Sequence, residues 1–184
     1  MNDASSLNGQ ERAEMNPKFL SIGPLTQAAF SPFGEVIEQP AQGSTINQGF
    51  ADRFDRLAHI ETKGPTGLVN ISLFTARKRP SPIVIKMMER HPLGSQLFYP
   101  LQDRDWIVVV CTDPRDQQTY RAFRATGRQG VNYARNTWHH PLIVLADDER
   151  FFVVDRGDTA ANPAKNLEEL WLDERDFLQL TLEG

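Results

Sequence analysis

Two polar segments interrupt sequence that otherwise reads as β-structure, and they hold three of the four histidines of the chain. The first is Glu89-Arg90-His91-Pro92-Leu93-Gly94-Ser95-Gln96-Leu97-Phe98-Tyr99-Pro100. The second runs from Gly127 to Pro141 and ends in Trp138-His139-His140-Pro141. Glu89 and His91 are two apart, so on a strand both face the same side. Gln96 follows across a turn expected at Pro92 to Gly94. Successive side chains of a strand face opposite sides, so one of His139 and His140 points inward. An enclosed β interior receiving Glu89, His91, Gln96 and His139 would have proton-transfer and metal-ligand capacity. Blander readings stand beside this one. His91 could be a turn residue next to Pro92, His139 or His140 a hydrogen-bonded structural histidine, Trp138 core, and Arg90 a surface ion-pair partner. Gly127, Gly130 and Gly157 read as turn glycines. They form no dinucleotide fingerprint, and no phosphate-loop lysine follows them.

The elements that must position these residues are mostly short strands. Residues 68–74, 83–88, 106–111, 120–123, 131–133, 141–145 and 151–155 read as strands. Asp113-Pro114, Gly127, Gly130, Asp147-Asp148 and Arg156-Gly157 read as the turns between them. The run Trp106 to Cys111 is continuously apolar, with three successive valines, and suits a buried strand. Thr26 to Phe30 suits a short helix stopped at Ser31-Pro32, and Phe33, Val36 and Ile37 suggest a strand after it. Residues 167–180 could be a helix capped by Asn166 or, in their later part, a terminal strand. Short strands at this spacing point to a closed or sandwiched all-β fold.

Composition bounds the function. The 184 residues suit a single domain, here 19–184, preceded by a polar, flexible extension over 1–18. A net charge of −4 carries no basic footprint beyond Arg77-Lys78-Arg79, so no nucleic-acid partner is expected. The lone Cys111 excludes an intramolecular disulfide and reads as a buried apolar residue. No stretch reaches the length of a membrane span and the N-terminus has no apolar signal core, so the expected setting is the cytoplasm, away from membranes.

The spacing of Glu89, His91 and Gln96, with His139 later, resembles the two metal motifs of the cupin superfamily in degenerate form. A glutamate stands for the first histidine, and a glutamine for the usual glutamate. A longer likeness joins it. The first segment, Gly130-Val131-Asn132-Tyr133 with Asn136 and Trp138 to Pro141, Ile46-Asn47-Gln48-Gly49-Phe50 with Arg53, Phe54 and Leu57-Ala58, and Asp155-Arg156-Gly157 resemble the ureidoglycolate lyase family. The likeness spans residues 25–157. It leaves out the leader through Lys18 and the tail after Gly157.

That resemblance implies an all-β, cupin-like jelly-roll β-barrel with short helices at the periphery, commonly a homodimer. It implies a carbon–nitrogen lyase that eliminates urea from ureidoglycolate to leave glyoxylate, in allantoin and purine breakdown. The reaction needs a base for the hydroxyl, a proton for the departing nitrogen and a clamp for the carboxylate. His91 or His139 is the expected base, with Glu89 orienting or relaying. Gln96 and Asn132 are expected to bind the urea amide or hydroxyl, and Asn47 and Tyr133 to line the site. Arg90 or Arg53 is expected to clamp the carboxylate. Strand parity turns Arg90 away from Glu89 and His91. A divalent metal, loosely held by Glu89, His91, Gln96 and His139, could assist and is not strictly required. The rivals are another cupin-type metalloenzyme such as a sugar isomerase or dioxygenase, a small-molecule sensing module without turnover, and a purely structural β protein.

Overall fold

The computed structural model describes residues 18–64, 67–157 and 166–182. Sixteen strands dominate it. The first eight are β1 (Lys18–Pro24), β2 (Gly34–Ile37), β3 (Ser44–Ile46), β4 (Ala51–Arg53), β5 (Leu68–Ala76), β6 (Val84–Ile85), β7 (Met87–Arg90) and β8 (Gln96–Pro100). The rest are β9 (Trp106–Cys111), β10 (Arg121–Ala125), β11 (Gly130–Tyr133), β12 (Trp138–His139), β13 (Ile143–Val144), β14 (Glu149–Gly157), β15 (Glu168–Trp171) and β16 (Leu178–Thr181). Helix α1 (Gln27–Phe30) has Thr26 as its N-cap, accepting from the Ala29 amide, and three 3₁₀ turns complete the helical content.

The larger sheet runs β15-β7-β12-β9-β10-β1-β16-β6, with β13 also on β9. The smaller sheet runs β2-β11-β8-β14-β5, and β3 and β4 form a separate hairpin. The two main sheets close over a core in which Trp106, Val108 and Val110 of β9 meet Phe98, Val131, Tyr133, Phe151 and Val153. The alternate residues Ile107, Val109 and Cys111 face a second core under Ile83, Ile85, Tyr120, Leu178 and Leu180. All six residues of β9 are therefore buried, which is why its sequence is a continuous apolar run and not an alternating one. The architecture is the expected all-β, cupin-like barrel with its short helices outside the sheets.

Several local expectations change. Residues 167–180 hold no α-helix: β15 pairs with β7, a 3₁₀ turn follows, and β16 pairs with β1 and β6. Asn166 is accordingly no helix cap. Arg156-Gly157 is no turn, because β14 stays paired with β5 through Gly157 opposite Leu68. Residues 83–88 are split at Lys86 into β6 and β7. A strand not foreseen, β1, runs parallel to β10 and β16. The expected extension lies outside the described residues except for Lys18, which opens β1. Gly34 is required where β2 meets β11: its φ is +149°, and a Cβ there would sit 2.0 Å from the Asn132 carbonyl oxygen.

Phe151 is fully buried, its ring edge-on to Trp106 at 5.0 Å and to Phe98 at 6.4 Å. Phe151→Ala should lower the unfolding free energy by about 3–5 kcal/mol. Urea denaturation measures this, and a loss below about 1 kcal/mol would contradict the packing described.

Candidate active site

Backbone register assembles the site. His139 pairs with Val110 on one side and with Glu89 on the other. Paired residues of adjacent strands project from the same face, and Val110 belongs to the barrel core, so Glu89 and His139 point inward. His91 lies two residues after Glu89 and shares its face. Gln96 opens β8 opposite Tyr133, whose ring stacks on His139 at 4.2 Å and 13°.

The hydrogen bonds decide what these groups can do. His139 Nδ1 lies 3.0 Å from the Thr137 carbonyl and His91 Nδ1 lies 2.8 Å from the Asn166 carbonyl. A carbonyl only accepts, so each Nδ1 carries the hydrogen, and the neutral His91 ring keeps a lone pair at Nε2. His139 Nε2 is 3.1 Å from Gln96 Oε1 and 3.4 Å from Glu89 Oε1. His91 Nε2 is buried with no hydrogen-bond partner among the described residues. The two rings are 5.3 Å apart, and Glu89, His91 and His139 each place one ligand atom within 4.8 Å of the others. The His91 lone pair, Nε2 of His139, a carboxylate and an amide oxygen therefore converge. Such an acceptor-rich set is completed by a proton or by a cation, and its nitrogen and oxygen donors suit a divalent transition metal. The carbonyls behind both Nδ1 atoms are the outer contacts that orient ligating or proton-transferring histidines.

Electrostatics keep the cluster divided. Burial, then the proximity of His139, lowers the His91 pKa and favours the neutral ring. Burial would raise the Glu89 pKa, but the His139 hydrogen bond together with the charges of His139, His91 and His140 outweighs it and leaves the carboxyl below its ordinary range. Burial drives the Tyr133 hydroxyl upward, with the Glu89 charge adding to it, so Tyr133 stays protonated.

The other expected residues lie elsewhere. Arg90 faces outward, its Nη2 paired with Glu168 at 2.6 Å and its guanidinium 4.6 Å from the centre of the Trp138 ring. That outer face carries an open cleft of about 780 Å³, and neither imidazole lines it. Arg53 pairs with Asp55 at 3.0 Å, beside the β3–β4 hairpin on which Asn47 occupies a left-handed turn at φ 51°. Asn132 alternates with Tyr133 and turns from the histidines, donating to Glu35 at 2.8 Å and to the His59 carbonyl at 2.9 Å. His140 is buried, alternates with His139 and lines a second cavity beside Arg79. The residue reading missed the Asn166 carbonyl and the carboxylate of Asp155, whose charge acts on His91 and which accepts from Asn70 at 2.9 Å. Alternation from the inward Val153 would have placed Asp155 inside.

An all-β barrel with two imidazoles, a carboxylate and an amide gathered on its inner wall defines a cupin-type protein. A family model described as ureidoglycolate lyase matches residues 17–179. Ureidoglycolate lyase 1 of Rhizobium meliloti is 50% identical over 157 residues, covering 84% of this chain and 90% of its own. The ureidoglycolate lyase of Burkholderia mallei is 50% identical over 165 residues, covering 88% and 97%, and that of Azotobacter vinelandii 47% identical over 151 residues, covering 79% and 89%. A structure of Lactobacillus farciminis oxalate decarboxylase with formate aligns with 60% of this chain and 33% of its own at 13% identity and a TM-score of 0.37, too distant to carry weight. The chain belongs to the ureidoglycolate lyase family.

His140 supplies a pH test. Burial, then the charge of Arg79, pushes its pKa down to about 4 from 6.5. A folded-state pKa below the unfolded one means that the unfolded chain takes the proton first, so stability is full above about pH 6.5 and falls as pH drops toward the folded value. His91 is shifted the same way, and Glu89 extends the loss below its ordinary range. Unfolding free energy should fall between pH 7 and pH 4, with roughly 3 kcal/mol attributable to His140. His140→Asn should flatten that slope in urea titrations. An unchanged slope in the variant would contradict the buried neutral ring.

Proposed function

We propose that this chain cleaves ureidoglycolate into glyoxylate and urea as a ureidoglycolate lyase, in the allantoin branch of purine breakdown and in the cytoplasm. The observation that carries the reading is the pair of imidazoles that commit Nδ1–H to backbone carbonyls, with Nε2 of His91 unbonded among the described residues and Nε2 of His139 beside Glu89 and Gln96. Family membership supplies the substrate.

Ureidoglycolate carries hydroxyl, carboxylate and a urea nitrogen on one carbon. A neutral imidazole Nε2, of His91 or His139, removes the hydroxyl proton. The O–H electron pair becomes the carbonyl π bond, and the C–N bond breaks with its pair going to the urea nitrogen. The proton held on the imidazole, relayed through the neighbouring ring and Glu89, completes urea. No water is consumed and nothing is oxidised. Gln96 would hydrogen-bond the hydroxyl or amide, and the stacked Tyr133 ring would hold His139 in position. Glu89, His91, His139 and Gln96 would also hold a divalent cation. When bound, such a cation would polarise the substrate hydroxyl.

We also propose a homodimer. Strand β5 forms the outer edge of the smaller sheet, is nine residues long, and leaves Val69, Ile71 and Leu73 57%, 62% and 69% exposed. A long apolar edge strand is a pairing surface unless it is covered, and a second copy covers it symmetrically.

Purified protein given racemic ureidoglycolate should release glyoxylate and urea in equal amounts, well above spontaneous decay. His91→Ala should lower kcat by about 10²–10⁴-fold. Absence of turnover with and without added divalent metal would sink the lyase reading, and near-normal turnover in the variant would sink the His91 role. Survival of activity after chelation would assign the chemistry to the histidines, and its loss would assign the cation a part. Light scattering should give about 42 kDa, twice the 20.9 kDa of the chain. Ile71→Lys with Leu73→Lys should give the monomer mass, and a monomeric parent protein would refute the dimer.

A further inference from the structure

The cluster of Glu89, His91, His139 and Gln96 contains no lysine or arginine, so the carboxylate of an incoming hydroxy acid meets the like charge of Glu89 there. Arg90 and Arg53, the two arginines expected to hold it, are engaged with Glu168 and Asp55. A different part of the molecule supplies what is missing. The loop between β5 and β6 packs against β7 and His140 around a cavity of about 350 Å³ lined by Arg79, Pro82, Lys86, Met87, His140 and Trp171, among others. Two cations line this cavity and no acidic side chain does. Met87 lies two residues before Glu89, on the same face of β7.

Arg79 has no hydrogen bond or ion pair among the described residues, although most other site-proximal arginines are paired. It keeps solvent access, yet burial depresses its pKa and the Glu89 charge opposes that depression, so it lies within electrostatic reach of the cluster. Its charge in turn helps hold His140 neutral. A guanidinium that keeps solvent access and has no ion pair among the described residues presents a planar fork of donors suited to a carboxylate. The Lys86 ammonium, 5.5 Å from the centre of the Phe177 ring, adds a second positive charge to the same wall.

We propose that this cavity is the carboxylate-binding end of the site, with Arg79 as the clamp and Lys86 as its electrostatic support, selecting small α-hydroxy and α-keto acids. The identity of the natural anion rests on the lyase reading; the anion preference rests on the cavity.

Glyoxylate binding to the intact protein, followed by titration calorimetry, tests this apart from turnover, with urea as the uncharged comparison. Arg79→Ala should weaken glyoxylate binding and raise KM for ureidoglycolate by about 10- to 150-fold, the range of a hydrogen-bonded charge pair. It should leave urea binding unaltered. Arg79→Lys should recover part of the loss, because it keeps the charge without the fork, and added guanidinium ion should partly rescue Arg79→Ala. Lys86→Ala should give a smaller effect in the same direction. Arg77→Ala, in the same loop, should behave as the parent protein. Glyoxylate binding and KM within twofold of the parent in Arg79→Ala, or no glyoxylate binding by the parent protein, would overturn the assignment. Arg79-dependent glyoxylate binding in a protein that fails to cleave ureidoglycolate would uphold the cavity while removing the lyase reading. Robust turnover indifferent to Arg79 would do the reverse.

Discussion

Burial of β9 on both faces is the constraint on which the site depends. Trp106, Val108 and Val110 are fixed in the barrel core and Ile107, Val109 and Cys111 in the second core, so the strand cannot slip by one residue without exchanging two packed sets of side chains. Its register is transmitted outward through pairing. Val110 sets the face of His139, and His139 sets the face of Glu89. Cys111 sets Trp138 outward, where Trp138 meets Arg90. Core packing thereby fixes which polar residues see the interior, and the geometry of the candidate site is a consequence of apolar alternation one and two strands away.

The parts of this arrangement that depend on parity were readable from residue order. Glu89 and His91 share a face, Arg90 does not, and only one of His139 and His140 enters the barrel. The buried character of β9 was equally plain from its three valines. What escaped depends on contacts distant along the chain. Asn166 read as a helix cap because its neighbours are acidic and apolar at mixed spacing. In the fold its side chain accepts from the Leu93 amide and its carbonyl accepts from His91, contacts 73 and 75 residues away. Arg79 sat in a basic run that looked like surface, and only the approach of β7 and His140 makes that surface a wall. Asn132 and Arg53 belonged to distinctive motifs, but motif membership carries no direction. Asn132 turns to Glu35, and Arg53 ends on its neighbour Asp55.

The two carbonyls behind the histidines do more than hold rings in place. By taking Nδ1–H from both, they turn each Nε2 toward the cluster, where the neutral His91 ring presents its lone pair. A cluster so rich in acceptors recruits a proton or a cation, which is the property a proton-removing site requires. The Thr137 carbonyl acts from within the segment that carries His139, whereas the Asn166 carbonyl reaches His91 from the strand pairing that adds β15 to the sheet. The two rings are thus tuned by different pieces of the chain, one local and one remote.

Gln96 gives this arrangement its chemical bias. An acidic residue at its place would set a second carboxylate beside His139, strengthening the hold on a cation and repelling any anion that approached. The neutral amide leaves Glu89 as the carboxylate of the described cluster. Cation binding is weakened, and the electrostatic penalty for admitting an anionic substrate falls with it. A hydroxy acid could then bring its hydroxyl to the imidazoles while its carboxylate remains among the cations beyond Met87. Separation of charge, with acceptors in the histidine cluster and cations in the neighbouring cavity, orients a small polar substrate without requiring a shaped apolar pocket.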